Sequence, residues 1–263
     1  MRRPIVGLAL GAGAAKGMAH LGVLMALQEE NIPIDVIAGT SIGSIFGALY
    51  ADGADLKLVS KIAANLRHEQ LIDVALPKMG LMKGEKIEEF FRLITKNKNF
   101  NQIEKSFYVV AADIETGEEV IINTGKVADA LRASASIPGI FKPKKIGNRL
   151  LVDGATKNYV PINVLKMHGV DYIIAIDVRF GGRIGNRYNV QNIFDVILMA
   201  LEISHFDNIK QLSSECNILI QPDLSRISPA RFDLVQECMD IGMEEAKKHL
   251  PVIKKDLNAM GVI

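Results

Sequence analysis

The chain has 263 residues, 49% of them hydrophobic and 23% charged, with 31 Lys and Arg against 30 Asp and Glu for a formal net charge of +1. That is the balance of a globular chain long enough to bury a large core, with nothing rich enough in Pro, Ser or charge to stay unfolded. It argues against nucleic acid as a partner, because phosphate binding draws on clustered excess charge; the one basic group is Lys142, Lys144, Lys145 and Arg149, and 6% aromatics with no Trp leave no stacking platform.

Residues 1–20 imitate a secretory leader, with Arg2 and Arg3, an apolar run from Ile5 and small residues at Ala12 and Ala14. A buried strand at 5–10 followed by a turn and a helix at 17–30 accounts for the same run and also explains Gly11, Gly13 and Gly17. The uncharged stretch 36–51, with Gly39, Gly43 and Gly47 at four-residue spacing, looks like a packed membrane helix. It falls short of the about 20 apolar residues that a span needs. Asp35 and Asp52 bracket it and Thr40, Ser41 and Ser44 interrupt it, so a strand at 35–39 and a helix at 42–52 fit better.

From 65 to 102 the rhythm breaks. Leu71, Ile72, Val74, Leu76, Met79, Leu81 and Met82 mix with Lys78, Lys83 and Lys86, which suits a partly exposed cap or two surface helices with a core-facing stripe. Residues 107–112 read as a buried strand, and 120–123 as its hairpin partner after the Glu-Thr-Gly-Glu turn. A helix near 126–133, a strand at 150–152, a helix near 162–167 and a strand at 172–176 follow. Residues 190–212 look helical, 217–220 is the last strand, and the tail is a helix with Phe232, Val235, Met239, Gly242, Met243 and Ala246 on one stripe. Strands alternating with helices predict a mainly parallel sheet covered on both faces.

Two strand-to-helix junctions carry chemistry. Gly39-Thr40-Ser41-Ile42-Gly43 is a G-x-S-x-G elbow, whose context makes Ser41 a candidate nucleophile and the helix N-terminus behind it a support for an anion; a serine helix cap explains the same residue. The loop from Gly11 to Gly17 departs from the dinucleotide fingerprint, since Lys16 stands where the third glycine belongs, and from the phosphate loop, since Met18 follows Gly17. A third reading asks only for small residues and close backbone: an oxyanion hole built of N–H donors, and a serine elbow in the same chain favours it.

A base for Ser41 is harder to find. His20 faces the helical layer, His68 and His249 sit in charged stretches, His168 ends a helix and His205 is mid-helix, so none of the five fits well. Asp113, Asp153 and Asp177 stand at or just past the carboxyl ends of strands, where open α/β sheets build their sites. A turn role is enough for Asp113, and Arg179 offers Asp177 a partner; spacing does not choose among the three.

Together these stretches resemble the patatin-like phospholipase family, in its small bacterial members, over roughly residues 5–225. The pieces are the loop at 11–17, the elbow at 39–43, Gly80-Leu81-Met82-Lys83-Gly84, the run from Arg132 to Phe141, and Asp153-Gly154-Ala155. The resemblance implies one three-layer α/β/α domain over 1–263 with the segment near 65–105 inserted as a helical cap over an acyl channel. It also implies a Ser41–Asp153 dyad without histidine, and an oxyanion hole at Gly11, Gly13, Ala14 and Lys16 with Gly39 and Gly43 shaping the elbow. Lys16 stands where the family commonly has arginine, and loses its planar fork; Ala12 and Ala14 replace glycines, which matters wherever φ must be positive.

The expected activity is hydrolysis of carboxylic esters of lipids, as a phospholipase A, lysophospholipase or acyl esterase, with no metal or cofactor. Rival readings are a catalytically weak lipid-binding or regulatory member of the fold and, further off, a nucleotide-binding module. Cys216 and Cys238 are too few for a disulfide framework and lack metal-ligand spacing, so a reducing, cytoplasmic setting is expected. Contact with a membrane surface is expected to be peripheral and reversible, since the net charge supplies no long-range attraction.

Overall fold

The computed structural model describes residues 2–66, 73, 79–179, 190–204 and 209–263, the side chains of 209–211 apart. In chain order the strands are β1 (Val6–Leu10), β2 (Val36–Thr40), β3 (Ser106–Asp113), β4 (Glu119–Ile122), β5 (Lys144–Ile146), β6 (Arg149–Asp153), β7 (Tyr172–Ile176) and β8 (Ile218–Ile220). The helices are α1 (Ala19–Glu29), α2 (Ile42–Ala51), α3 (Leu56–Asn65), α4 (Glu85–Ile94), α5 (Val127–Ser134), α6 (Ile162–Met167), α7 (Ile193–Ser204), α8 (Ile209–Glu215) and α9 (Val235–Ala259).

Strands β8, β7, β1, β2 and β3 pair in parallel, in that order across the sheet. Their burial on both faces explains why each reads as a near-continuous apolar run. The two-residue period then sorts the side chains. Val6, Leu8 and Leu10 of β1, Ile37 of β2 and Ile174 and Ile176 of β7 share one core with α1, α2, α5 and α9. Ala9, Val36, Ala38, Ile173 and Ala175 share a second, smaller core with Val164 and Leu165 of α6. Each fully buried Leu or Ile in these layers contributes about 2 kcal/mol relative to exposure.

The layered α/β/α architecture and the mainly parallel sheet expected from the sequence are therefore present, with the leader-like segment forming β1 and the membrane-like stretch forming β2 and α2. No helix among the described residues is long and apolar enough to cross a membrane. The predicted tail stripe is also there: Val235, Met239, Gly242 and Ala246 of α9 are buried. Sequence periodicity missed α3, whose one buried residue is Leu56 and whose start is set by Asp55, accepting from the N–H groups of Lys57 and Leu58. It also missed β5, a short edge strand with Lys144 and Lys145 in it.

The remaining strands, β4, β5 and β6, are antiparallel. Their arrangement around β3 positions the site. Along one edge β3 pairs with β4 over Val109–Ala112. On the other edge β2 occupies the positions up to Val110, opposite Thr40. Strand β6 takes over at the next residue, with Ala111 opposite Asp153. The carboxyl ends of β2 and β6 thus meet end to end at adjacent rungs of the same strand.

Candidate active site

That meeting point brings Ser41 and Asp153 together although 112 positions separate them. Ser41 Oγ–H donates to Asp153 Oδ2 at 2.6 Å, and the N–H of Ala155 donates to Oδ1 at 2.8 Å. The two side chains are 6% and 1% exposed. Burial pushes the Asp153 carboxyl up to about 7, against the pull of the bonds from Ser41 and Ala155. A carboxylate poised there, in contact with a hydroxyl, can accept the hydroxyl proton near neutral pH.

The elbow holds Ser41 in a left-handed conformation, φ 54° and ψ −125°, which costs a residue with a Cβ about 1–3 kcal/mol and persists because its surroundings impose it. Its own N–H donates to Ser134 Oγ at 2.8 Å, and Ser134 Oγ–H donates onward to Val110 O at 2.6 Å. Its carbonyl accepts from Ser44 Oγ–H at 2.6 Å. Gly39 and Gly43 are needed for space. A Cβ on Gly39 would lie 2.5 Å from Ser44 Cα, and one on Gly43 would strike the carbonyl oxygens of Leu10 and Gly11.

The glycine-rich loop runs beside the elbow. Of the four residues expected to form an oxyanion hole, two have their amides engaged elsewhere: Gly11 N–H donates to Ile176 O and Lys16 N–H to Gly13 O, both at 3.0 Å. The amides of Gly13 and Ala14 have no partner among the described residues, and neither does that of Ile42 at the start of α2. Gly13 and Ala14 line the same cleft as Ser41. Ala14 adopts φ 47°, so the position where glycine would be at ease carries a strained alanine.

The Lys16 side chain bonds to Glu202, not to Asp153. It is fully buried and its ammonium donates to Glu202 Oε2 at 3.0 Å. Desolvation draws Lys16 down and Glu202 up from their ordinary values, and each opposes the shift of the other.

The described histidines, His20, His168 and His249, stand apart from Ser41 and Asp153. His20 is fully buried; its Nε2–H donates to Gly11 O at 2.7 Å, and burial lowers it to about 4, so it is neutral at pH 7 and braces the loop. His168 stacks on Tyr108 with ring centroids 3.9 Å apart, and His249 lies 3.3 Å from Glu245 on α9. His68 and His205 lie outside the described residues. Asp113 Oδ1 accepts from Glu115 N–H within its turn, and Asp177 holds Arg179 through two 2.8 Å bonds.

The cleft around Ser41 is open to solvent on one side and is lined by Ala12, Ile137, Tyr159, Leu198, Leu201 and Pro229 besides the residues above. None of the described residues of the expected cap, 65–105, lines it. Within that range α4 packs on α5 and buries Phe91, and Met82 bridges to Phe141; residues 67–72 and 74–78 lie outside the description. The element over Ser41 is α7. It turns Asp195, Leu198 and Glu202 inward and leaves Ile193, Val196 and Ile203 about half exposed, an inversion of the usual amphipathic helix. Sequence reasoning passed over Glu202, whose signal was a lone acid inside the apolar run ILMALEIS.

Comparison with known proteins follows the same lines. An uncharacterized NTE family protein of Mycobacterium tuberculosis is 29% identical over 270 residues, which covers 93% of this chain and 46% of that protein. Lysophospholipase NTE1 of Pyricularia oryzae is 36% identical over 184 residues, 66% of this chain and 12% of that protein. This chain thus spans less than half the length of these curated relatives. Among solved structures, VipD of Legionella pneumophila superimposes with a TM-score of 0.56 at 13% identity, over 95% of this chain and 67% of that one. The type III effector protein ExoU does so with a TM-score of 0.52 at 14% identity, over 96% and 53%. These two establish likeness of fold. The patatin-like phospholipase family model matches residues 8–166, and with its elbow, loop and aspartate in place the chain belongs to that family.

Proposed function

We propose that this protein hydrolyses carboxylic ester bonds of lipids through an acyl-enzyme on Ser41, with Asp153 as the general base. The 2.6 Å bond between Ser41 Oγ and Asp153 Oδ2, in a cleft with no described histidine, carries the reading. Ser41 Oγ attacks the ester carbonyl carbon as its proton passes to Asp153. The carbonyl oxygen becomes an oxyanion beside the amides of Gly13, Ala14 and Ile42, which have no partner among the described residues and where preorganised donors stabilise developing charge. Collapse breaks the C–O bond and Asp153 returns the proton to the departing alcohol. Water then attacks the acyl carbon, gives a proton to Asp153, and Ser41 Oγ leaves with that proton as the carboxylic acid is released.

The lipid surface meets the protein at α7 in this reading. Its outward apolar residues Ile193, Val196 and Ile203 lie on the helix whose inner residues line the cleft, so a chain leaving a bilayer or micelle enters beside Ser41. The two cysteines are unpaired, in keeping with a reducing, cytoplasmic setting. The test is Ser41→Ala, assayed by p-nitrophenyl ester hydrolysis and fluorophosphonate labelling. Both are expected to fall to background, and retention of either refutes the assignment.

A further inference from the structure

The cleft wall carries a polar group that the acyl-transfer cycle leaves idle. Glu202 is 2% exposed and lines the cleft together with Ser41 and Asp153. Its Oε2 accepts from Lys16 Nζ at 3.0 Å, whereas its Oε1 is buried with no hydrogen-bond partner among the described residues. A buried acceptor without a donor is costly and uncommon in folded proteins, so a donor from outside the chain is its natural complement. With Lys16 as an ammonium donating to Oε2 of a carboxylate, the other oxygen, Oε1, offers only lone pairs.

The chemistry of the partner follows from the surroundings. Leu198, Leu201, Ile137 and Pro229 make most of the remaining wall apolar, which suits a fatty chain, and a fatty chain has no donor to give. A donor near the scissile bond belongs to the alcohol part of the ester. A phosphate would present further acceptors to Oε1, and an amine cation gains little from a carboxyl group that Lys16 already neutralises. A hydroxyl satisfies Oε1 at the smallest desolvation cost.

We propose that Glu202 is a specificity-determining residue whose Oε1 accepts a hydrogen bond from a free hydroxyl on the alcohol part of the ester, so that hydroxyl-bearing esters are selected over their capped counterparts. The inference rests on the acyl-transfer reading above. An interaction of this kind discriminates because the capped analogue leaves the buried acceptor unpaired.

The experiment compares kcat/KM for 2-hydroxyethyl butanoate and 2-methoxyethyl butanoate, which share the acyl group and the two-carbon alcohol bridge and differ in whether the distal oxygen carries a proton or a methyl group. The wild-type protein is expected to favour the hydroxyl ester at least tenfold. In Glu202→Gln, Lys16 holds the amide oxygen and turns the NH₂ group into the cleft, and the ratio is expected to fall below threefold; thermal unfolding checks that the variant is folded. Should it fail to fold, the paired change Lys16→Met with Glu202→Leu, which strands neither charge, is expected to lose the preference in the same way. Equal wild-type rates on the two esters, as a water resident on Oε1 would give, overturn the role of Glu202 and leave acyl transfer standing. A ratio unchanged by the substitutions also overturns it. No turnover of either ester together with no labelling of Ser41 overturns both readings.

Discussion

Replacing Asp153 by Asn should abolish turnover and, above neutral pH, make the protein more stable. The folded carboxyl keeps its proton up to about 7, whereas an unfolded chain releases it near 3.8. Between those values the folded state binds more protons than the unfolded state, so stability falls as pH rises. The contribution favouring folding is complete below about pH 4 and is lost as pH passes through 7. The interval corresponds to about 4 kcal/mol at pH 8, of which about a third is already lost at pH 5. An Asn side chain keeps an oxygen for the Ala155 N–H and an NH₂ group that can donate to Ser41 Oγ, so it retains both contacts and sheds the buried charge. Urea denaturation of both proteins at pH 5 and pH 8 measures the effect as a difference of differences, which cancels every other titrating group. The stability of the Asn variant relative to wild type should rise by about 3 kcal/mol between the two pH values. A change under about 1 kcal/mol would refute the account of a desolvated base. The wild-type kcat/KM should in turn rise with pH through about 7, because the reaction needs the unprotonated carboxylate.

Gly43→Ala drives a Cβ against the carbonyl oxygens of Leu10 and Gly11, which are backbone and cannot turn aside, and is expected to cost at least about 3 kcal/mol in thermal unfolding. Gly117→Ala, at φ 72° with open space around it, should cost only about 1 kcal/mol; equal losses would show that the elbow is not crowded. Asp177→Asn removes the charge facing the buried Arg179 guanidinium and should destabilise by about 3–5 kcal/mol, with ester hydrolysis per folded molecule preserved, as a structural role requires. Changing Ile193, Val196 and Ile203 together to Asp should cut hydrolysis of vesicle lipid at least tenfold more than hydrolysis of a soluble ester. Equal losses on the two substrates would remove α7 from the lipid-facing side.

Local steric rules made much of this protein readable in one dimension. A short, near-continuous apolar run bounded by turn residues suits an interior strand buried on both faces, which is why residues 5–10, 35–39 and 172–176 read as β1, β2 and β7. The glycine before Ser41 is equally local, because a Cβ on Gly39 would strike Gly43 and Ser44 of the same turn, whereas the clash at Gly43 comes from Leu10 and Gly11 at the end of the neighbouring strand β1. The stripe on α9 needs only the 3.6-residue period. The proposed base was not legible from spacing. Asp113, Asp153 and Asp177 look alike as strand-ending acids, and the choice among them comes from β6 continuing the edge of β3 that β2 vacates after Val110, a register set across the sheet. The same holds for the proposed oxyanion donors, since Gly11 and Lys16 lose their amides to Ile176 and Gly13, and for the wall of the cleft, to which α7 contributes Leu198, Leu201 and Glu202 among the described residues. Periodicity reports which face of an element is buried and says nothing about what it is buried against. Partners more than a hundred residues apart, such as Ser41 and Asp153 or Lys16 and Glu202, are chosen by packing and strand register in three dimensions.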